Sequence, residues 1–128
     1  EILLIFHNKI KKYIQPGGHL ENDAEVWLTA KREIEEETGL AVDLHQWHRA
    51  HDCIPLQIDT HPLPARPEKG ELAHWHHDFC FVFSTHDREL TLQLAEVSNF
   101  KWLALTEEFD GRLLKLATNK LKRFDLGR

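Results

Sequence analysis

At 128 residues the chain is one domain's worth, long enough to bury a core and too short for two ordinary domains, so a single domain over residues 1–128 is expected. A net charge of −5, a pI near 6.0 and the lack of any basic run exclude a protein that tracks a phosphate backbone, and no nucleic-acid duplex is expected as partner. No apolar stretch approaches the roughly 20 residues that span a bilayer, and "EILLIF" lacks the basic flank of a signal peptide, so the expectation is a cytoplasmic protein without a membrane partner. Cys53 and Cys80 are too few for a disulfide framework and read as reduced and packed. A chain that starts without methionine, directly at an apolar run, is expected to have lost a leading segment or to be trimmed to its ordered part. The composition leaves a homodimer open.

In chain order, "ILLIF" reads as a buried strand and "HNKIKKYIQ" as a turn and second strand, with Ile10, Tyr13 and Ile14 as inward candidates, ended by "PGG". From Asn22 the period becomes helical. Asn22 and Glu25 form a capping-box-like pair, Val26, Trp27, Ala30 and Ile34 recur at helical spacing, and Gly39 stands where a C-terminal cap belongs, which predicts a helix over 23–38. Strands are expected at Ala41–Leu44 and His51–Ile58, followed by the proline-rich loop "THPLPARPEKGE", whose length invites a binding role. "AHWHHDFCFVFST" alternates as a strand, with Trp75, His77, Phe79, Phe81 and Phe83 on one face and His74, His76, Asp78, Cys80 and Val82 on the other. "NFKWLAL" is a last strand, and Leu113–Phe124 is an amphipathic helix with Leu113, Leu114, Leu116, Ala117 and Leu121 inward. Strands mixed with two helices predict α/β or α+β layers.

The chemistry concentrates in "REIEEETGL". At about 100° per residue, Glu33, Glu36 and Glu37 share one arc of the helix while Glu35 points almost the opposite way. Like charges at i,i+3 and i,i+4 cost a few tenths of a kcal/mol per pair, and acids in a last turn oppose the helix dipole by about 0.3–1 kcal/mol each. A solvated acidic face tolerates this. A bound hard cation reverses its sign, because Mg²⁺ takes oxygen ligands and joins carboxylates to substrate phosphates.

With the upstream "PGGHLE", the segment resembles a Nudix box, G-x5-E-x7-R-E-U-x-E-E-x-G-U with U aliphatic. Gly18, Arg32, Glu33, Ile34, Glu36, Glu37, Gly39 and Leu40 match at the required spacing; Ala24 stands where the first glutamate belongs. The resemblance implies the Nudix fold, an α/β (α+β) arrangement with a mixed sheet between helices, and hydrolysis of a nucleoside diphosphate linked to another moiety. It further implies that Glu33, Glu36 and Glu37 bind Mg²⁺ or Mn²⁺, that Arg32 orients them, that a Gly17 or Gly18 carbonyl adds a ligand, and that a carboxylate such as Glu33 takes the proton of the attacking water. Glu96, in "AEVSNFKW", resembles the downstream glutamate that many members place opposite the box. The Ala24 departure implies weakened metal affinity or a lower rate, with Glu21 or Glu25 as stand-ins.

On the alternating strand, His74, His76 and Asp78 share a face that lines a cleft, touches substrate together with Gly17, His19 and Trp75, or holds a second metal. Trp47 and Trp75 offer rings that stack on a base or pack in the core. Pro55, 15 residues past the box, is where members acting on ADP-ribose resemble one another in carrying a proline, and the tyrosine expected of dinucleoside polyphosphate hydrolases is missing. Arg49, Arg66, Lys69 and Arg88 are too scattered for a polyphosphate pocket. Three functions follow as alternatives: a metal-dependent Nudix pyrophosphohydrolase acting on a nucleotide-like molecule, a catalytically weak Nudix-fold nucleotide-binding or regulatory module, and a transition-metal binder built on His74 and His76.

Overall fold

The first strand sits at the centre of its sheet. In the computed structural model, which describes residues 1–9, 11–104 and 112–126 and only the backbone of 112–114, 125 and 126, β1 (Ile2–His7) pairs antiparallel with β2 (Lys12–Ile14) on one side. On its other side lies β7 (Val97–Leu103), with Ile5 opposite both Ile14 and Phe100. Two paired edges explain why an apolar run serves here: Leu4 and Ile5 are buried, and Val97 is fully so. Tyr13 and Ile14 are half-buried as inward candidates, while Ile10 lies outside the described residues. The last strand starts two residues earlier than "NFKWLAL" suggests, and Leu105 lies outside the described residues.

Helix α1 covers Val26–Thr38, three residues shorter at its start than its sequence predicts. The capping box does not form: Glu25 is the cap, in extended backbone without a side-chain cap bond, and its carboxylate goes to the Trp27 indole instead. The end is as predicted. Gly39 takes φ 70° and its N–H donates to the Glu35 carbonyl; a Cβ there would also press on Thr91 at 3.0 Å.

After β3 (Asp43–Leu44) comes a short helix, α2 (Gln46–Ala50), and of the expected strand over 51–58 only Gln57 and Ile58 are strand; it begins instead as a turn in which Asp52 and Cys53 both adopt left-handed backbone. The start of the expected proline-rich loop is instead β4 (Gln57–Leu63), which pairs over its whole length with β5 (His74–Cys80). Pro62 is tolerated because, among the described residues, β4 has a partner on one side only. A single 3-10 turn at Pro67–Lys69 belongs to what remains of the loop. The long alternating strand breaks at Phe81 and Val82, and β6 (Phe83–Ser84) continues it in a separate pairing with β3. Helix α3 spans Arg112–Leu126; Ala117 is buried and Leu116 and Leu121 half-buried, whereas the side chains of Leu113 and Leu114 lie outside the described residues. Lys120 docks α3 on β4 by donating to the Leu56 carbonyl at 2.8 Å and the Gln57 side chain at 2.6 Å. Helices against small antiparallel sheets make the fold α+β, and no described helix is long and apolar enough to cross a membrane.

Candidate active site

The acidic arc of α1 faces inward more than its neighbours suggest. Glu37 is only 3% exposed, Glu33 is largely covered and Glu36 lies at the rim, whereas Glu35 points away and pairs with Lys31 at 3.7 Å. Burial, then the charge of Glu33, pushes the Glu37 carboxyl up to about 7, with Glu96 and Glu36 adding to the rise and the Gly17 N–H that donates to it opposing. Glu33 is raised too, chiefly by burial, against the lowering pull of Arg32. The Oε2 of Glu37 is buried with no hydrogen-bond partner among the described residues. Glu96, 59 residues further along the chain than Glu37, comes within electrostatic reach of both Glu33 and Glu37 from the turn just before β7. The loop before α1 closes on this group: a Cβ at Gly18 would run into the Glu33 carboxylate, so any larger residue there would displace that side chain.

Arg32 is the cation of the cluster. Its Nη2 lies 3.1 Å from Asp23 and 3.7 Å from Glu21, and its Nη1 3.2 Å from Glu33 and 3.5 Å from Glu36. The Arg32 guanidinium, followed by a 2.7 Å bond from the Thr29 hydroxyl, holds the Asp23 carboxyl below its usual range, and Asp23 in turn keeps Arg32 more firmly protonated. Asp23 is the residue that sequence reasoning passed over. It stands one position before Ala24, so its carboxylate reaches the arginine although the box pattern looks for an acid one place later. Of the two suggested stand-ins, Glu25 is spent on Trp27 and Glu21 is an exposed, longer contact.

The remaining candidates fall on two faces of the β4–β5 hairpin. His74, His76 and Asp78 share one face, and the His76 ring meets His19 of the Pro-Gly-Gly-His loop edge-on at 6.2 Å, which brings this face to the box loop. Trp75 alternates onto the other face, 62% exposed and opposite Pro62, away from the histidines. Trp47 is engaged within α2, stacked on His51 at 4.3 Å. Of the scattered cations, Arg66 pairs with Glu71 and Arg88 with Glu1 while lying over the Trp102 ring. Burial raises the Cys80 thiol to about 11, so it is an inert, packed thiol, and both cysteines are free.

The donor set suits a hard divalent cation, since clustered carboxylates, one of them with a buried unpartnered oxygen, are oxygen ligands awaiting a positive charge. On a fold of helices and small antiparallel sheets, this carboxylate cluster lies beside a glycine-bearing loop. The family model of the NUDIX domain matches residues 1–125, and the chain belongs to the Nudix family of pyrophosphohydrolases. Members of that family generally use divalent metal ions. Among solved structures, a NUDIX-family hydrolase from Clostridium perfringens is similar at 25% identity and TM-score 0.65, covering 95% of this chain and 88% of that one. An Ap4A hydrolase from C. elegans shares the fold at 21% identity and TM-score 0.61, covering 98% and 86%. No curated protein matches in sequence.

Proposed function

We propose that the chain is a single catalytic domain that uses Mg²⁺ or Mn²⁺ to hydrolyse a diphosphate linkage in a nucleoside diphosphate linked to a further group, acting on a free nucleotide-like molecule in the cytoplasm. The observation that carries this reading is Glu37: a buried carboxyl raised to about 7, with an oxygen that has no hydrogen-bond partner among the described residues, beside Glu33 and within reach of Glu96. Glu33, Glu36, Glu37 and Glu96, with the Gly18 carbonyl, are the proposed metal ligands. When bound there, the ion neutralises diphosphate oxygens and makes water acidic enough to attack. Glu33 accepts the proton as the water oxygen attacks phosphorus and the anhydride bond breaks, the leaving phosphate carrying off the bonding electrons. Arg32, fixed by Asp23, sets the direction of the Glu33 and Glu36 carboxylates. Gly17, His19, His74, His76 and Asp78 form the side of the cleft that meets substrate, with Trp75 outside it. That one similar structure is an Ap4A hydrolase favours including dinucleoside polyphosphates among the candidates.

The test is release of phosphate or nucleoside monophosphate from nucleoside triphosphates, ADP-ribose, nucleotide sugars and dinucleoside polyphosphates, with and without Mg²⁺ or Mn²⁺, using Glu37→Gln as the blank. Turnover that needs the metal and vanishes in the blank is the expected result. Metal and nucleotide binding without turnover on any of them would instead favour a non-catalytic binding module, the reading that Ala24 motivates.

A further inference from the structure

A second group of metal-binding side chains stands apart from the α1 carboxylates. Strands β4 and β5 pair Asp59 with Asp78 and His61 with His76. Asp59, His61 and Asp78 therefore project from one face, and a donor atom from each lies within 4.8 Å of the other two. Two aspartates directly opposite each other in an antiparallel pair repel. Among the described residues neither is paired with lysine or arginine; the His61 ring lies beside both, its Nδ1 3.4 Å from Asp59 and 3.7 Å from Asp78. Those separations are longer than a charge-assisted hydrogen bond, which runs about 2.7–2.9 Å. Ligand bonds of about 2.0–2.2 Å at tetrahedral angles place donor atoms roughly 3.3–3.6 Å apart, a range that holds the 3.4 Å separation and falls just short of the 3.7 Å one.

We propose that Asp59, His61 and Asp78 form a binding site for a divalent transition metal of the Zn²⁺ type. Mixed imidazole and carboxylate donors suit such an ion better than Mg²⁺, which favours all-oxygen surroundings. Three protein ligands leave a fourth position for water or a substrate oxygen. The site differs from the expected pairing of His74 with His76, because the strand register selects the β4 residues: His61 faces both aspartates, while the His74 ring is turned to the Leu72 carbonyl at 2.7 Å. His76 links the cluster to the catalytic side, its ring 5.7 Å from His61 and 6.2 Å from His19. A metal on the hairpin would fix the face that meets the Pro-Gly-Gly-His loop. The inference does not depend on the proposed reaction.

The experiment titrates metal-stripped full chain with Zn²⁺ in millimolar Mg²⁺, against a chromogenic zinc indicator, and counts bound zinc by elemental analysis. One equivalent per chain is expected, with affinity falling more than about a hundredfold in His61→Ala and in the double variant Asp59→Asn with Asp78→Asn. Glu36→Gln with Glu37→Gln should keep that equivalent, as should His77→Ala, whose ring lies on the opposite face bonded to Thr60. Circular dichroism of the metal-free variants checks that each is folded. Zinc that survives both His61→Ala and the double aspartate variant, zinc lost with the α1 glutamates, or no equivalent held against Mg²⁺ would each overturn the proposal.

Discussion

Arg32 meets Asp23, Glu21, Glu33 and Glu36, but the four contacts are not equal. Asp23 is the nearest, is itself fixed by the Thr29 hydroxyl, and has its carboxyl lowered chiefly by Arg32; Glu21 is an exposed acid at 3.7 Å, the kind of pair that contributes about 0–1 kcal/mol. Removing the charge at position 23 should release the guanidinium from its anchored side and let the Glu33 and Glu36 carboxylates turn with it. Asp23→Asn is therefore expected to lower kcat about tenfold to a hundredfold with a smaller change in KM, a loss typical of removing a group that orients metal ligands. Glu21→Gln should change kcat by no more than a few-fold. Steady-state kinetics of the two variants decides between them, and equal effects would mean that Asp23 does not anchor the arginine. The acidic arc was legible from sequence because helical period alone places Glu33, Glu36 and Glu37 together. Asp23 was not, because its role depends on the backbone path before α1, which no periodic pattern encodes.

The same division between periodic and non-periodic signals runs through the elements. The strands of the central sheet and the end of α1 at Gly39 were readable from an apolar run and a glycine in its expected place. Helix α2 was not: its cap is the His45 ring, which accepts from the Trp47 N–H at 3.0 Å, and histidine is no usual cap residue. The break between β5 and β6 has a cause that spans 34 residues. His48 is fully buried, its Nδ1–H donating to the Ile54 carbonyl at 2.7 Å and its Nε2 accepting the Val82 N–H at 2.9 Å, so a neutral ring of one tautomer stitches α2 to the point where the alternating strand stops. Burial lowers its pKa, in keeping with a ring that stays neutral. His48→Ala removes the partner of both backbone groups at a cost of about 1–3 kcal/mol each, so a loss of roughly 3 kcal/mol is expected in urea unfolding. A loss under about 1 kcal/mol would mean water replaces the ring without penalty.

Across the whole molecule, the site's charge sets how stability responds to pH and metal together. Below a pH of about 4.5 the Glu37 carboxyl is neutral both folded and unfolded. Between there and about 7 the unfolded chain gives up a proton that the fold retains, so the metal-free fold loses stability as pH rises through that window. The difference between 4.5 and about 7, at about 1.4 kcal/mol per unit, is on the order of 3 kcal/mol, and Glu33 shifts in the same direction. His48 opposes this slope, because its lowered pKa contributes stability present above about 6.5 and lost as pH falls. Comparing the protein with Glu37→Gln cancels the histidine term. In EDTA the variant should be the more stable of the two at pH 8, with the gap shrinking toward pH 5. A divalent cation binds the ionised carboxylates, so Mg²⁺ should add little to the melting temperature at pH 5 and several degrees at pH 8, and clearly less at pH 8 to Glu37→Gln, which keeps the other ligands. Thermal melts over pH 5–8, with and without Mg²⁺, read both effects at once. A pH-independent gap in EDTA, or a Mg²⁺ shift that survives the substitution undiminished, would place the cation elsewhere and leave the crowded glutamates as a structural feature of α1.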